Sequence, residues 1–291
     1  MSQRFKNHSK PRFLAPHAEA HPAPKETRSG RPEPRSTKSD NRDYLYGILP
    51  VEQALLARKR RLETLYLKTE APSSPRLQRL EQLALEMSVP VQTVPKEKLD
   101  FFCPNGPHQG VVLQCSPLGF SALEALDGTD PKSSLIVALD QVEDPHNLGA
   151  IIRSCGFFQA AGVVLPMHHS ARLTPTVSKA SAGVVESFPV VAVTNLSRFL
   201  QEQKARGYWI VGLDEDGDQE LSSLSLDLPL VMVAGNEGEG LRQGVKKACD
   251  LILKIPGNSQ VASLNVSNAV AVALYQCHTR FLASMPPAKR V

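Results

Sequence analysis

Residues 256–269 read PGNSQVASLNVSNA, and what flanks this stretch decides the fold. An apolar run at residues 251–256 leads into it with the pattern of a strand. A long apolar helical pattern, residues 265–282, leads out. Between the two, Gly257, Asn258, Ser259, Gln260 and Ser263 make an uncharged, amide-rich loop. Such a loop can offer backbone N–H and C=O groups to a flat neutral ligand such as a nucleobase. It lacks the lysine and the glycine run that several phosphates call for. An ordinary strand–loop–helix turn would read the same way.

Working outward, short apolar runs at 135–139, 163–165, 190–193, 209–213, 230–233 and 251–255 mostly alternate with helix-like segments. Continuous apolar strands separated by helices predict a parallel sheet covered on both faces, an α/β fold. Periodicity alone would allow a dinucleotide-binding fold, which needs G-x-G-x-x-G after its first strand. Here residues 140–147 read DQVEDPHN, without glycine, and the glycines come late, as Gly235, Gly238 and Gly240. No Walker A sequence is present either, so the pattern counts against NAD and ATP. Asp144 and Pro145 suit the cap and first residue of a helix. Leu148, Ile151, Ile152 and Cys155 then form a core-facing stripe. Asn147 in the first turn and Arg153 off the stripe are left to face a groove at the strand ends.

The front of the chain reads as a smaller α/β module over residues 44–117. Helical patterns occur at 51–57 and at 76–87, the latter with Leu77, Leu80, Leu83 and Ala84 on one face. Strand patterns occur at 62–67, 89–94 and 111–115. A basic run, Arg58, Lys59, Arg60 and Arg61, precedes the first of these and supplies candidate RNA contacts; a solvated run is the simpler reading. Residues 118–134 read as a linker, and residues 135–285 as the second domain.

Composition bounds the class. The chain has 291 residues, 42% hydrophobic and 21% charged, which is ordinary for a globular protein of two domains. No apolar run reaches the ~20 residues of a membrane span. Five scattered cysteines, Cys103, Cys115, Cys155, Cys249 and Cys277, form no C-x-x-C pair. This argues against a zinc knuckle or a disulfide framework and fits a reducing, cytoplasmic location. His108, His146, His168 and His169 form no metal set with them, so no metal is expected. The net charge of +4 is unevenly placed: residues 1–43 hold ten Lys/Arg against five Asp/Glu. That Pro-rich, apolar-poor segment is expected to be a disordered basic tail, either a non-specific RNA tether or a solvated appendage.

Three segments, taken together, carry a resemblance. Residues 139–153 read LDQVEDPHNLGAIIR, residues 230–242 read LVMVAGNEGEGLR, and residues 263–269 read SLNVSNA. In order and spacing they resemble the three signature motifs of the SpoU-type (TrmH-like) RNA ribose 2′-O-methyltransferases, over roughly residues 135–281. The resemblance implies a parallel-sheet trefoil-knot (SPOUT) catalytic domain and a ribosomal-protein-like RNA-binding domain ahead of it. It further implies S-adenosyl-L-methionine as cofactor and a homodimer built on the last helix. Within the family the chain looks most like the bacterial branch that methylates a guanosine of 23S ribosomal RNA. A transfer-RNA ribose methyltransferase is the near alternative, although the simplest of those lack the front module. A non-catalytic RNA-binding assembly factor is the distant one.

The resemblance also assigns residues. Asn147 and Arg153 fall in the active site, and Glu237 falls beside the cofactor. Gly235, Ile255 and Leu264, with Ala234 and Asn236 adjoining, fall at the cofactor pocket. Ser263 and Asn265 become substrate-facing or supporting groups, and either also suits a helix cap. Arg172 and Lys179 lie in a segment where RNA contact is expected; solvated charge is the simpler reading. Arginine is a poor literal base, because its guanidinium stays protonated. Arg153 is therefore expected to grip a substrate phosphate, while a phosphate oxygen or a water takes the ribose proton. Direct deprotonation of Arg153 is the alternative. Retention of Asn147, Arg153, Glu237 and the SLNVS loop argues against a silent assembly factor.

Overall fold

The computed structural model describes residues 42–69, 74–104, 106–127, 134–223, 229–236, 238–258, 260 and 263–284, the last four by backbone alone. The expected basic tail lies outside the described residues, apart from its last two. The front domain runs β1 (Asp43–Tyr46), α1 (Ile48–Ala57), β2 (Leu62–Lys68), α2 (Pro75–Glu86), β3 (Val91–Val94), α3 (Lys96–Phe102) and β4 (Val111–Cys115). Its four strands are ordered β1-β4-β2-β3. Alternation sorts the side chains. Leu45, Leu65, Leu67, Val111 and Leu113 pack with the buried residues of α1 and α2. Tyr66 and Val112, on the opposite face, pack with Leu99 and Phe102 of α3. Strand β1 and helix α3 were not expected from periodicity. One has four residues and the other seven, too few for a repeat to show.

The second domain is a seven-stranded parallel sheet. Its elements are β5 (Leu135–Asp140), α4 (Pro145–Phe157), β6 (Gly162–Pro166), α5 (Pro175–Ala180), β7 (Val190–Val193), α6 (Leu196–Ala205), β8 (Trp209–Leu213), β9 (Gln219–Glu220), β10 (Leu230–Gly235), α7 (Gln243–Lys246), β11 (Leu251–Lys254) and α8 (Val266–Ser284). The strand order is β7-β6-β5-β10-β8-β11-β9. Every residue of β5 is buried, because both sheet faces are covered. Leu135, Val137 and Leu139 share one core with buried residues of α4, α5 and α8. Ile136 and Ala138 share another with α6 and α7.

Two expectations need correcting. Ile255 lies just past the end of β11 rather than in it, so it belongs to a loop. The start of the expected linker is not a free connector. Leu126 is 2% exposed and packs under the sheet, and the Ser121 N–H bonds the Val190 carbonyl at 2.7 Å. The register brings the loops after four strands to one end of the sheet. Gly235 at the end of β10 is paired with Asp140 at the end of β5, and Leu213 at the end of β8 is paired with Leu253 of β11. Ligands in open parallel sheets bind outside these carboxyl ends.

Candidate active site

Helix α4 starts where Asp144 accepts the His146 N–H at 2.9 Å. Leu148, Ile151, Ile152 and Cys155 are fully buried, each aliphatic side chain contributing roughly 1.5–3 kcal/mol. That burial fixes the helix's rotation, which leaves Arg153 exposed, with no hydrogen bond or ion pair to another described residue. Asn147 is half-buried. Its Oδ1 accepts from Asn265 Nδ2 at 2.9 Å, joining the first motif segment to the third. Asn265 also caps α8, its Oδ1 accepting the Ser267 N–H at 2.9 Å. Asn265 thus caps the helix and at the same time binds Asn147.

The loop after β10 is folded tightly on itself. The Gly240 N–H bonds the Asn236 carbonyl at 2.9 Å, and Gly240 has φ +63°. A Cβ on Gly235 would lie 2.1 Å from the Gly240 carbonyl oxygen, so no side chain fits there. Two carboxylates brace the loop. Asp140, fully buried, receives Arg242 N at 2.9 Å and Arg242 Nε at 2.8 Å. Asp214 receives Lys246 Nζ at 2.8 Å and the Leu241 N–H at 3.4 Å. Burial acts to raise the Asp214 pKa, but the bonds from Lys246, Asp216 N and Leu241 N outweigh it and hold the carboxyl below its ordinary value. Glu237, in the middle of this loop, lies outside the described residues.

Between the loops after β8, β10 and β11 and the start of α8 lies a cavity of about 630 Å³. Ala234, Gly235, Asn236, Ile255, Ser263 and Leu264 all line it. Asn147, Arg153 and Asn265 do not, although Asn265 directly follows the lining residue Leu264. The wall also holds Asp214, Glu215 and Asp216, which the sequence reading missed. A signal existed, since these acids directly follow an apolar run at the carboxyl end of a parallel strand. Leu264 is 47% exposed, an apolar face open to the cavity.

The basic candidates separate. Arg58, Arg61 and Arg172 are exposed, and Arg61 pairs with Glu63 at 2.9 Å. Arg60 corrects the expectation of an RNA contact. It is 4% exposed and bound to Glu186 and Asp43, because its β2 entry position faces the second domain rather than water. Lys59 and Lys179 also spend their ammonium groups on protein, bonding the Ser187 carbonyl and the Pro107 carbonyl at 2.8 and 3.2 Å. Among the described residues no group of three or more His, Cys, Asp or Glu is placed to hold a metal.

Residues 134–275 match the SpoU rRNA Methylase family, and residues 44–121 match the family described as RNA 2′-O ribose methyltransferase substrate binding. The chain is 40% identical over 237 residues to the 23S rRNA (guanosine-2′-O-)-methyltransferase RlmB of Pseudomonas putida, covering 80% of this chain and 95% of that one. The chain belongs to the SpoU rRNA methylase family. The backbone of this SpoU methylase is similar to that of a crystallised RNA 2′-O ribose methyltransferase, with TM-score 0.72 and 25% identity over 84% of this chain and 90% of that one. It also shares the fold of the SpoU methyltransferase AviRb from Streptomyces viridochromogenes, with TM-score 0.71 and 24% identity over 84% of this chain and 92% of that one.

Proposed function

We propose that this SpoU methylase transfers a methyl group from S-adenosyl-L-methionine to the ribose 2′-OH of a guanosine in 23S ribosomal RNA. The observation that carries the reading is the bond between Asn147 and Asn265. It ties the helix that bears Arg153 to the loop that closes the cavity. The cavity's size lies within the range of small-molecule and cofactor sites, ~300–1,000 Å³. Gly235 lets the 236–240 turn close against the end of β10 and shape the cavity wall, while Ile255 and Leu264 supply apolar walls. Glu215 and Asp216 supply negative charge suited to a cationic ligand. Gly235, Ile255 and Leu264, adjoined by Ala234, Asn236 and Ser263, would hold the cofactor. When bound, it supplies a methyl group already activated by the positive sulfonium.

The chain's own residues then orient and deprotonate. Arg153, exposed on the helix whose first turn holds Asn147, presents a planar fork to a substrate phosphate. Gripping it holds the ribose in line for attack, the alignment on which such a displacement depends. A phosphate oxygen or a water takes the 2′-OH proton. Asn147, fixed by Asn265, and Glu237 orient these groups. Arg58, Arg61 and Arg172 remain as exposed candidate RNA contacts.

We further infer two copies per assembly: Phe157 of α4 and Val272 and Tyr275 of α8 are 77%, 43% and 59% exposed on adjoining helices, an apolar face suited to a second copy. Residues 44–117 act as the RNA-binding domain and 135–285 as the catalytic one. A ribosomal RNA substrate supports a cytoplasmic location. Mapping 2′-O-methyl groups in ribosomal and transfer RNA, from cells with and without the gene, tests the reading. A single guanosine of the large-subunit RNA should lose its methyl group. Loss confined to a transfer RNA, or no loss, would overturn it.

A further inference from the structure

Three of the residues that look like RNA contacts in the sequence, Lys59, Arg60 and Lys179, instead join the two domains. The Arg60 side chain is 1% exposed, and so is that of Glu186 in the short 3-10 turn Val184–Glu186. Arg60 Nε donates to Glu186 Oε2 at 2.8 Å, and Nη2 donates to Oε1 at 3.1 Å, a forked pair across the domain boundary. Nη1 donates to Asp43 at 2.7 Å and to the Ser116 carbonyl at 3.0 Å. Ser178 Oγ of α5 donates to Glu186 Oε1 at 2.7 Å. Around this pair sit the Lys59 and Lys179 bonds to opposite domains. At Gly183, φ +86°, a Cβ would lie 2.8 Å from the Leu49 carbonyl of α1.

The interface continues inward. Segment 175–187 packs on α4, where a Cβ on Gly149 would lie 2.4 Å from the Ala180 Cβ and 2.9 Å from the Val177 carbonyl. The front domain therefore rests on segment 175–187, which rests on the helix carrying Asn147 and Arg153.

We propose that Arg60 and Glu186 form a specificity-determining clamp, which holds the RNA-binding domain at one fixed reach from the methyl-transfer groups. The target ribose is then chosen by its distance and direction from the RNA feature that the front domain grips. A buried ion pair is weak evidence for a stabilising role, since apolar residues of similar volume often replace such pairs at no loss. A forked guanidinium–carboxylate contact does add one relative orientation that an apolar contact leaves loose. The inference rests on the proposed RNA methylation, and Arg60 and Glu186 are positioning residues in it.

The test uses the full chain, wild type and two variants: Glu186→Gln, and Arg60→Met combined with Glu186→Leu. Spin labels are placed on the exposed positions Glu81 of α2 and Gln201 of α6, each changed to Cys. With labelled chains diluted in excess unlabelled chains, so that no assembly holds two labelled copies, wild type should give one narrow interdomain distance, and both variants a broad one, with cofactor affinity unchanged. Methylation of the target nucleotide should fall on the order of a hundredfold in turnover, as misplacement by an ångström does, and neighbouring riboses should gain methyl groups. Wild-type turnover and selectivity in either folded variant would overturn the clamp. So would a broad distance in wild type, or loss of cooperative unfolding in both variants. A narrow distance that broadens in the variants, with no RNA methylated by wild type, supports the clamp and removes the methylation reading instead.

Discussion

Arg153 and Asp214 are two charged side chains held in opposite ways, one exposed on α4 and the other braced in the cavity wall. Arg153 is held out of the core by the buried stripe of α4, so its removal costs no packing. Arg153→Ala should leave the melting temperature and cofactor affinity unchanged and lower turnover by a factor equivalent to ~3–4 kcal/mol, the scale of other preorganised electrostatic groups. Arg153→Lys should rescue little, since a point charge lacks the fork. Single-turnover methylation beside cofactor titration checks both, and wild-type rates in Arg153→Ala would sink the phosphate-grip role. Asp214 acts on folding instead. Its folded pKa is depressed below the ordinary carboxylate value by Lys246 and two backbone N–H groups, against the opposing effect of burial. Its stabilisation is therefore fully present above about pH 4, the unfolded value, and is lost as pH falls through the lower folded value. Asp214→Asn should melt earlier than wild type at neutral pH, with the gap closing in acid. A gap independent of pH would show that packing, not charge, is what Asp214 supplies. At this scale the sequence singled out Asn147 and Asn265, 118 residues apart, and the fold joins them by a hydrogen bond. It misled at Arg60, whose partner Glu186 lies 126 residues away, because a basic run destined for burial looks like any other.

The strands buried on both faces were legible as continuous apolar runs, and β5 to β8, β10 and β11 appear where those runs stand. Their order was not. Strand β10 inserts between β5 and β8, and nothing in local periodicity records which strand a run pairs with. That insertion is what juxtaposes the loops after β5 and β10, so the site's geometry depends on the part of the fold that sequence pattern cannot express. The glycine at the end of β10 follows from this placement. Gly235→Ala would put a methyl group against the Gly240 carbonyl, a backbone atom that can yield only if the whole 236–242 turn moves. The expected outcome is a cofactor affinity weaker by more than about tenfold, or ~1.4 kcal/mol, together with a lowered melting temperature. Calorimetric titration of the folded variant decides it. An unchanged affinity would show that this turn does not shape the cofactor site.

Across the whole molecule, the net positive charge is concentrated at one end of the sequence. Residues 1–41 carry nine Lys/Arg against four Asp/Glu, whereas the chain's total is only +4, so the rest of the protein has no net positive charge to attract RNA. Several of its basic groups are moreover committed to protein partners, Arg60, Lys59, Lys179, Arg242 and Lys246 among them. Long-range attraction to a polyanion should therefore reside mostly in residues 1–41. The cut must stop at residue 41, because Asp43 is a ligand of the Arg60 guanidinium and its removal would disturb the clamp as well. A chain lacking residues 1–41 should keep its melting temperature, cofactor affinity and site selectivity. It should bind ribosomal RNA more weakly at low salt, with a shallower fall of affinity as salt rises. The log–log slope should drop by ~0.7 for each single-strand phosphate that residues 1–41 neutralise. At high salt the two chains should converge, since counterion release no longer favours the longer one. Equal slopes in both chains would place the electrostatic attraction on the folded domains, and Arg58, Arg61 and Arg172 would then be the first groups to replace.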